Sequence, residues 1–374
     1  MAIKERFTAL DVFRGMTVCF MIIVNTPGNS DTTFSPLHHA AWHGFTPTDL
    51  VFPSFLFAVG NALAFVMQAW QQQTTTAVVG KILKRTLLIF LLGFLMYWFP
   101  FVDPAPGGGY DFRPFSDTRI LGVLQRISLA YCLAALMLYF FKTRKTVIVT
   151  SILLILYWPV CYFFGDASDP YSLTRTAGLK LDLFVLGPAH LYHGEGGMPF
   201  DPEGILGTFP SIGNVVAGFL AGKLIRESGK TFETLAKLLL AGAALMTIAY
   251  FWHLLFPINK KLWTSSFVLY TVGIDCMILA AIVYVVDFMK ITRWTYFFEV
   301  FGRNPLFIYL LSEVIAILLW FFTIGDLPAY TSLYQHVFSY AGGYIGSLLF
   351  ALTVMMVCWL VGWWMDKRKI YVRV

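Results

Sequence analysis

Ten apolar runs, most of them close to 20 residues long, follow one another along this chain and constrain its fold more than any other feature. A helix of about 20 apolar residues crosses the roughly 30 Å of hydrocarbon in a bilayer. Only 13% of the 374 residues are charged, whereas a soluble globular chain carries roughly 25%. We therefore expect an all-α integral membrane protein, a polytopic bundle of about ten transmembrane helices. The runs lie near residues 8–25, 49–70, 82–101, 119–141, 146–164, 208–226, 236–256, 264–286, 304–324 and 344–365.

Basic residues are distributed unequally between the two sides of this predicted bundle. Of the 27 Lys and Arg residues, 18 fall in one set of alternate connections and six in the other. Cytoplasmic connections are the ones enriched in such charges, so both termini are expected in the cytoplasm. Lys4 and Arg6 before the first run are typical of a signal anchor. The net charge of +6 lies in short clusters between apolar runs, and it does not indicate a nucleic-acid partner.

The connections on the outer side are longer and hold candidate catalytic residues. The first of them contains His38, His39 and His43, and histidine can take up and return a proton near neutral pH. Thr46 and Asp49 fit the N-cap and N3 positions of a helix start, so Asp49 is expected to have a structural role. Connections beyond about 12–15 residues are uncommon inside domains and often functional. The long ones lie near 26–48, 102–118, 165–207 and 325–343.

Metal binding is an alternative role for the outer histidines. His39 and His43 are four residues apart, and His190 and His193 are three apart, so either pair could share a helical face. Neither pair lies in a helical pattern, and we therefore expect no metal site.

Other charged residues are candidates for substrate binding. Asp201 and Glu203 stand beside glycines in an outer connection, where carboxylates suit sugar hydroxyls or an ammonium group. A solvated turn is the alternative there. Inside the apolar runs, ionisable residues are costly and point to function. Arg126 has no oppositely charged neighbour on its own helix face, and neither have Asp275 and Glu313.

Two further intramembrane arginines lie towards the predicted cytoplasmic side. Asp11 and Arg14 are three residues apart, and Glu299 and Arg303 are four apart, so each pair can neutralise itself on one helix face. Arg303 and Asn304 belong to a GRNP sequence, which should break or kink a helix. Arg14, Arg303 and Asn304 could also meet phosphates that enter from the cytoplasm.

Seven sequence segments, spread in order along nearly the whole chain, match the sequence motifs of one family. They are LDVFRG (10–15), the Asn25 turn, HAAWHGFTPTDLVFP (39–53), RILGVLQRISLAY (119–131), FDPEGILGTFPSIGN (200–214), NKKLW (259–263) and, more loosely, GRNPLFIY (302–309). Together they resemble the heparan-α-glucosaminide N-acetyltransferase family of transmembrane acetyltransferases, including its bacterial members. The WHGFTPTDLVFP and DPEG blocks are the most specific.

The resemblance implies one transmembrane acyltransferase domain over residues 1–374. It would move acetyl from cytoplasmic acetyl-CoA, as co-substrate, to the amino group of a glucosamine-type sugar on the outer side. His39 matches the catalytic histidine of the family and Asn25 its assisting asparagine, whose amide could donate to the developing oxyanion. Trp42 and Asn259, which lie in matching segments, are expected to contact the acceptor.

Several alternatives stay open at the level of sequence. An O-acetyltransferase of a cell-envelope glycan and a transporter of small solutes both fit an intramembrane bundle with charges. Transfer could proceed directly or through an acetyl-histidine. The lipid bilayer of a bacterial inner membrane is the expected location, and a homodimer is compatible with the sequence.

Overall fold

The computed structural model describes residues 7–105, 108–194 and 197–372, and these are predominantly helical. Lys4, Arg6 and Arg373, which contribute to the charge asymmetry, lie outside the described residues. Two short antiparallel hairpins pair β1 (Val102–Pro104) with β2 (Tyr110–Phe112) and β3 (Thr323–Ile324) with β4 (Leu327–Pro328). The helices are α1 (Thr8–Asn25), α2 (Pro47–Trp70), α3 (Thr75–Trp98), α4 (Val123–Phe164), α5 (Ala177–Val185), α6 (Ile205–Ser228), α7 (Phe232–His253), α8 (Ser265–Val283), α9 (Thr295–Arg303), α10 (Pro305–Phe321), α11 (Ala329–Leu333) and α12 (Gly343–Lys367).

Seven helices in the described ranges are long and apolar enough to cross a membrane, and the count is eight when α9 and α10 form one bent span. The prediction of an all-α polytopic membrane protein is confirmed. Every predicted apolar run overlaps one of the helices. The seven are α1, α2, α4, α6, α7, α8 with its continuation to Phe288, and α12.

Helix α4 covers two of the predicted runs. Its 42 residues correspond to about 63 Å at 1.5 Å per residue, about twice the hydrocarbon thickness of a bilayer. Lys142 interrupts it with a φ of 58°, and the predicted runs 119–141 and 146–164 lie on either side of this residue. The Thr146 hydroxyl lies 2.9 Å from the Met137 carbonyl oxygen, which helps to satisfy the backbone at the interruption.

The GRNP sequence breaks a helix, as predicted. Helix α9 ends at Arg303 and α10 begins at Pro305, with an angle of 84° between them. Proline has no N–H to continue the first helix but is well suited to begin the second. Asn304 at the break donates from Nδ2 to the Ile370 carbonyl at 3.0 Å and accepts at Oδ1 from the Val372 N–H at 2.8 Å.

The chain divides into two compact units. The first comprises residues 7–40, 46–55 and 278–372, and the second comprises the described residues within 41–45 and 56–277. In the first, a Cβ at Gly15 would lie 1.8 Å from the Phe298 carbonyl oxygen, so α1 and α9 need a glycine at this contact. In the second, a Cβ at Gly60 would lie 1.9 Å from the Val215 carbonyl oxygen. Small residues allow such close helix packing in membranes. The single acyltransferase domain over 1–374 stays a prediction.

Candidate active site

His39 and Asp49 form a hydrogen-bonded pair in the first unit. Nδ1 of His39 lies 2.7 Å from Oδ1 of Asp49. The imidazole is exposed, with 43% of its side chain accessible, whereas the Asp49 side chain is only 1% accessible. A buried carboxylate thus contacts one nitrogen of an accessible imidazole, which is the arrangement that orients a histidine for proton transfer.

The other oxygen of Asp49 accepts from the backbone and from a hydroxyl. Oδ2 lies 3.1 Å from the Ala40 N–H, 3.0 Å from the Thr46 N–H and 3.1 Å from the Thr46 hydroxyl. Three donors favour the ionised carboxylate. An ionised Asp49 only accepts, so the proton between the pair belongs to Nδ1 of His39 and the lone pair lies on Nε2.

The helix start predicted around Asp49 is confirmed. Helix α2 begins at Pro47, one residue after Thr46, and the contact from the Thr46 N–H to Asp49 is the reciprocal half of a capping box. Asp49 therefore has two structural tasks, because it also holds His39. The contact between these two residues was not predicted.

Asn25 lies at the C-terminal end of α1 and contacts a carboxylate of α10. Its Nδ2 donates to Oε1 of Glu313 at a distance of 3.4 Å. An amide nitrogen carries two hydrogens, so the contact with Glu313 orients the group and leaves a second N–H as a donor for a reacting oxygen. Glu313, which has no oppositely charged neighbour on its own helix face, thus has a hydrogen-bond partner on α1.

The ion pairs predicted for Arg14 and Arg303 are confirmed in the first unit. Arg14 Nη2 lies 2.6 Å from Asp11 Oδ1, and its Nε donates to the Gly302 carbonyl at 2.9 Å. Arg303 Nη2 lies 2.9 Å from Glu299 Oε2. A second carboxylate, from Asp366 on α12, contacts Nη1 of Arg303, so two acidic groups neutralise this arginine.

In the second unit, Trp42 is anchored in an aromatic cluster. Its indole N–H donates to the Tyr171 carbonyl at 2.7 Å, and its ring meets Phe200 edge-on with centroids 5.5 Å apart. The Lys261 ammonium lies 5.8 Å from the ring centroid and donates to the Ala41 carbonyl at 2.9 Å. The indole is therefore fixed by contacts on its polar edge and on its ring.

Asn259 is fully buried and fixes the tautomer of His43. Its Oδ1 accepts from the Leu262 N–H at 2.9 Å, which leaves Nδ2 as the group 3.3 Å from Nδ1 of His43. Because an amide nitrogen only donates, Nδ1 of His43 is the acceptor and Nε2 carries the proton. Burial lowers the pKa of His43, opposed by the nearby charge of Asp169, so this imidazole is neutral at pH 7.

Asp201 and Glu203 both bind Arg119. Nη2 of Arg119 lies 2.7 Å from Asp201 Oδ1 and 2.7 Å from Glu203 Oε2, and Nε lies 2.9 Å from Asp201 Oδ2. The rings of Tyr97 and Tyr192 lie 4.8 and 4.9 Å from the guanidinium carbon. Burial opposes ionisation of Glu203, but the charges of Arg119 and other basic groups outweigh it and lower the pKa of this carboxyl. The two carboxylates thus hold a loop together through a charged, bidentate contact.

Arg126, on α4, is almost fully buried beneath the same loop. Its Nη2 donates to the Gly204 carbonyl at 3.0 Å, and its guanidinium carbon lies 4.9 Å from the Trp263 ring centroid. Nε and Nη1 have no hydrogen-bond partner among the described residues. Arg126 lines a cavity of about 20 Å³ together with Asp182 and Asp201, which is room for about one water molecule.

Sequence reasoning missed several partners of the candidate residues, among them Asp49 of His39, Glu313 of Asn25, Asp366 of Arg303 and Arg119 of Asp201 and Glu203. Asp49 and Glu313 were singled out in the sequence, but their contacts could not be predicted. An irregular loop separates Asp49 from His39, and 288 residues separate Glu313 from Asn25. Only a pairing at helical spacing can be inferred locally.

The fold and this site define a class of protein, a polytopic membrane protein with an accessible histidine oriented by a buried carboxylate. Comparison with known sequences narrows the class. The family model described as "Heparan-alpha-glucosaminide N-acetyltransferase, catalytic" matches residues 6–255. The chain is 30% identical to the Homo sapiens heparan-alpha-glucosaminide N-acetyltransferase over 370 residues, which is 84% of this chain and 53% of the human one.

The Mus musculus protein of the same name is 28% identical over 367 residues, covering 83% of this chain and 54% of the mouse protein. The chain belongs to the heparan-alpha-glucosaminide N-acetyltransferase family, which confirms the resemblance inferred from the seven segments. It spans about half the length of the curated relatives that it matches.

Proposed function

We propose that this protein transfers an acetyl group from acetyl-CoA to the amino group of a glucosamine-type sugar. The observation that carries the proposal is the 2.7 Å contact between His39 and the buried Asp49, in the segment that matches the family. The names of the curated relatives give the reaction and the acceptor class.

In the proposed reaction, Nε2 of His39 is the general base. A sugar amine attacks the thioester carbonyl carbon, a C–N bond forms, and the amine proton moves to Nε2. The C–S bond then breaks with its electron pair on sulfur, and the imidazolium returns the proton to give the thiol of CoA. Asp49 stabilises the imidazolium that exists between these steps. If an acetyl-histidine forms first, Nε2 is also the atom that becomes acetylated.

Asn25 is the proposed oxyanion donor. The carbonyl oxygen of the thioester gains negative charge as the tetrahedral intermediate forms, and an oriented N–H stabilises this charge. The Glu313 contact holds the amide in one orientation, so less reorganisation is needed when the charge develops.

For the acetyl-CoA phosphates, we propose contacts with Arg14, Arg303 and Asn304. All three belong to the first unit, where Arg14 donates to the carbonyl of Gly302 directly before Arg303. This clustering of two arginines at a helix break supports a phosphate site.

For the acceptor, we propose contacts with Trp42 and Asn259, whose side chains are held in place by other groups of the second unit. Asp201, Glu203 and Arg126 are assigned to the acceptor side as well. The contacts of the two carboxylates with Arg119, and of Arg126 with the Gly204 carbonyl, support a role in fixing the shape of the loop around this glycine.

We propose ten membrane crossings with both termini in the cytoplasm of a bacterial cell and the protein in its inner membrane. The break of α4 at Lys142 supports two crossings within that helix. Helix α3 would supply another, since it has 24 residues. The 18-to-6 asymmetry of basic residues supports the orientation, which places His39 on the outer side.

The test is mass spectrometry of amino sugars incubated with the purified protein and acetyl-CoA. We expect glucosamine derivatives to gain one acetyl group on nitrogen. His39→Ala should lower the turnover number by about two to four orders of magnitude, the usual scale for a general acid–base group. His38→Ala is the matched control, because this neighbouring exposed imidazole contacts the Thr33 carbonyl through Nε2 and should be dispensable.

Near-normal turnover by His39→Ala would refute the catalytic assignment. Acetylation on oxygen only would favour an envelope-glycan O-acetyltransferase. Flux of an amino sugar across the membrane of vesicles that contain the protein, without consumption of acetyl-CoA, would favour a transporter.

A further inference from the structure

An apolar cavity of about 260 Å³ lies within the first unit. One face of α1 forms a long wall, with residues at helical spacing from Phe13 to Val24. The segment before His38 and the first two turns of α2 form the rest, together with Ile278 of α8. The lining residues on α1 are Phe13, Met16, Thr17, Phe20 and Val24, and those on α2 are Pro47, Thr48, Leu50, Val51 and Ser54.

The cavity offers little to a polar ligand. The hydroxyls of Thr17, Thr48 and Ser54 donate to the backbone carbonyls of Arg14, Pro36 and Leu50 at 2.7, 3.0 and 2.9 Å. The remaining lining side chains are apolar. A polar ligand would lose its hydration here without gaining donors, whereas a hydrocarbon chain loses nothing.

The dimensions of the cavity suit a chain. An apolar cavity of about 150 Å³ is already large enough to bind benzene. The distance from Phe13 to Val24 is about 16 Å along the helix at 1.5 Å per residue, roughly half of the 30 Å hydrocarbon layer. Phe20 on this wall is 44% exposed, so the cavity is accessible from the surface of a membrane-spanning helix.

One end of the cavity coincides with the segment that carries the His39–Asp49 pair. Pro36 and Leu37 directly precede His38 and His39, and Thr48 directly precedes Asp49. An amphiphile with its tail in the cavity would therefore present its polar head at this segment.

We propose that the cavity binds the hydrocarbon tail of the acceptor, so that the substrate is an amino sugar carried on a lipid. This inference rests on the proposed acetyl transfer and specifies its acceptor. The tail fixes the position of the sugar, because it removes much of the freedom that a soluble sugar must lose on binding. A longer alkyl chain should therefore lower KM until the cavity is filled.

The experiment compares alkyl glucosaminides of increasing length. The full chain in lipid nanodiscs is assayed with acetyl-CoA and the methyl, octyl or dodecyl β-D-glucosaminide. We expect KM for the dodecyl compound to be at least tenfold below that for the methyl compound. Val51→Trp and Met16→Trp fill the cavity and should abolish most of this advantage, with kcat and KM for the methyl compound unchanged within twofold.

The control is Leu360→Trp, which introduces the same side chain at an exposed position of α12. It should retain the full preference for long chains. Partition of the alkyl compounds into the nanodisc raises their local concentration equally for all variants. The contribution of the cavity to KM is therefore the difference in chain-length preference between the wild type and the variants in which the cavity is filled. An advantage that persists unchanged in Val51→Trp and Met16→Trp overturns the proposal.

A second measurement does not depend on turnover or on a variant that must fold. A dodecyl glucosaminide with a diazirine in its tail is photo-crosslinked to the wild type, and the labelled peptides are identified. Labelling of residues 13–24 or 47–54 that dodecyl glucosaminide displaces, but dodecyl glucoside does not, supports the proposal. Labelling that both compounds displace equally identifies a general lipid site and overturns it. If no acceptor is acetylated, the proposed function fails, while this measurement still decides whether the tail binds.

Discussion

Nδ1 of His39 lies 2.7 Å from Oδ1 of Asp49, and Asp49 is also the residue that accepts from the Thr46 N–H at the start of α2. The imidazole is thus held by the first turn of α2 and not by a residue of its own loop. Three donors on Oδ2 favour the ionised carboxylate, so the tautomer of His39 depends on the same group that accepts at the start of α2.

Asp49→Asn separates the role of this residue at the start of α2 from its role in orienting His39. Asn can still accept the contacts at the helix start through its amide oxygen. Its amide nitrogen would then donate to Nδ1 of His39, which puts the ring proton on Nε2 and removes the lone pair of the proposed base. We expect kcat to fall by about two to four orders of magnitude, with a melting temperature close to that of the wild type and an altered pH profile of kcat. Asp31→Asn, the same change on an exposed residue of this loop, should keep wild-type kcat. A kcat of Asp49→Asn within twofold of the wild type would contradict the role of the pair.

How far the sequence predicts this structure depends on the range of the interaction. Apolar length predicted the membrane-spanning helices, the proline of the GRNP sequence predicted the break at Arg303-Asn304, and helical spacing predicted the Glu299–Arg303 pair. Each of these follows from neighbours along the chain. The start of α2 was also predictable from Thr46 and Asp49. The contact of Asp49 with His39 crosses an irregular loop, and no periodic pattern encodes it.

The partner of Asn25 was beyond sequence reasoning for a similar reason. Glu313 lies 288 residues further along the chain, and only the packing of α1 against α10 brings the two together. Arg119 is a further partner that sequence reasoning missed. The residue types of Asp201 and Glu203 suggest substrate contacts, which stay a prediction, and the structure shows that both also bind Arg119.

Asn25→Ala removes the proposed oxyanion donor. We expect kcat to fall by about 10²-fold, the lower end of the range for one such contact, while KM for the acceptor changes by less than threefold. Glu313→Gln is the matched variant, since its amide oxygen can still accept from Asn25. It should lose less than tenfold in kcat. Steady-state kinetics would contradict the assignment if Asn25→Ala raised KM and left kcat intact, because that pattern indicates ground-state binding only.

Arg303 has two possible roles that a pair of measurements separates. Arg303→Ala leaves Glu299 and Asp366 without their counter-charge, so the melting temperature should fall. If Arg303 also binds phosphate, Kd for acetyl-CoA should rise by about tenfold or more, a usual scale for losing a charge-assisted contact. Isothermal titration on folded protein gives Kd. Arg293→Ala, on an exposed residue nearby in the chain, should change neither. A lower melting temperature with unchanged Kd would limit Arg303 to its ion pairs.

The orientation can be tested with single cysteines at Ser35, Ser168 and Thr75, all exposed positions. The five native cysteines are buried, so background labelling should be low. In intact cells, a membrane-impermeant thiol reagent should label cysteine at Ser35 and Ser168. The cysteine at Thr75 should react only after lysis. The reverse pattern would place His39 on the cytoplasmic side and refute the proposed sidedness.

Asp182 makes the stability of the second unit depend on pH. Its side chain is 2% exposed, and burial raises the pKa of its carboxyl to about 6 despite the hydrogen bond from the Ile205 N–H. Between about pH 4 and pH 6 the folded protein keeps this proton, whereas the unfolded chain has released it. The free energy of unfolding therefore falls as pH rises through this window, by about 3 kcal/mol from this group, and changes no further above it.

Asp182→Asn should remove this contribution, because the amide does not ionise and its oxygen still accepts from Ile205. We expect the difference in melting temperature between the variant and the wild type to grow in favour of the variant from pH 4.5 to pH 7. Thermal unfolding in detergent, followed by tryptophan fluorescence, measures this difference directly. Asp117→Asn, the same change on an exposed residue, should leave the pH dependence of the wild type intact. Parallel curves for Asp182→Asn and wild type across this range would show that Asp182 is ionised throughout, with Arg126 rather than burial controlling its charge.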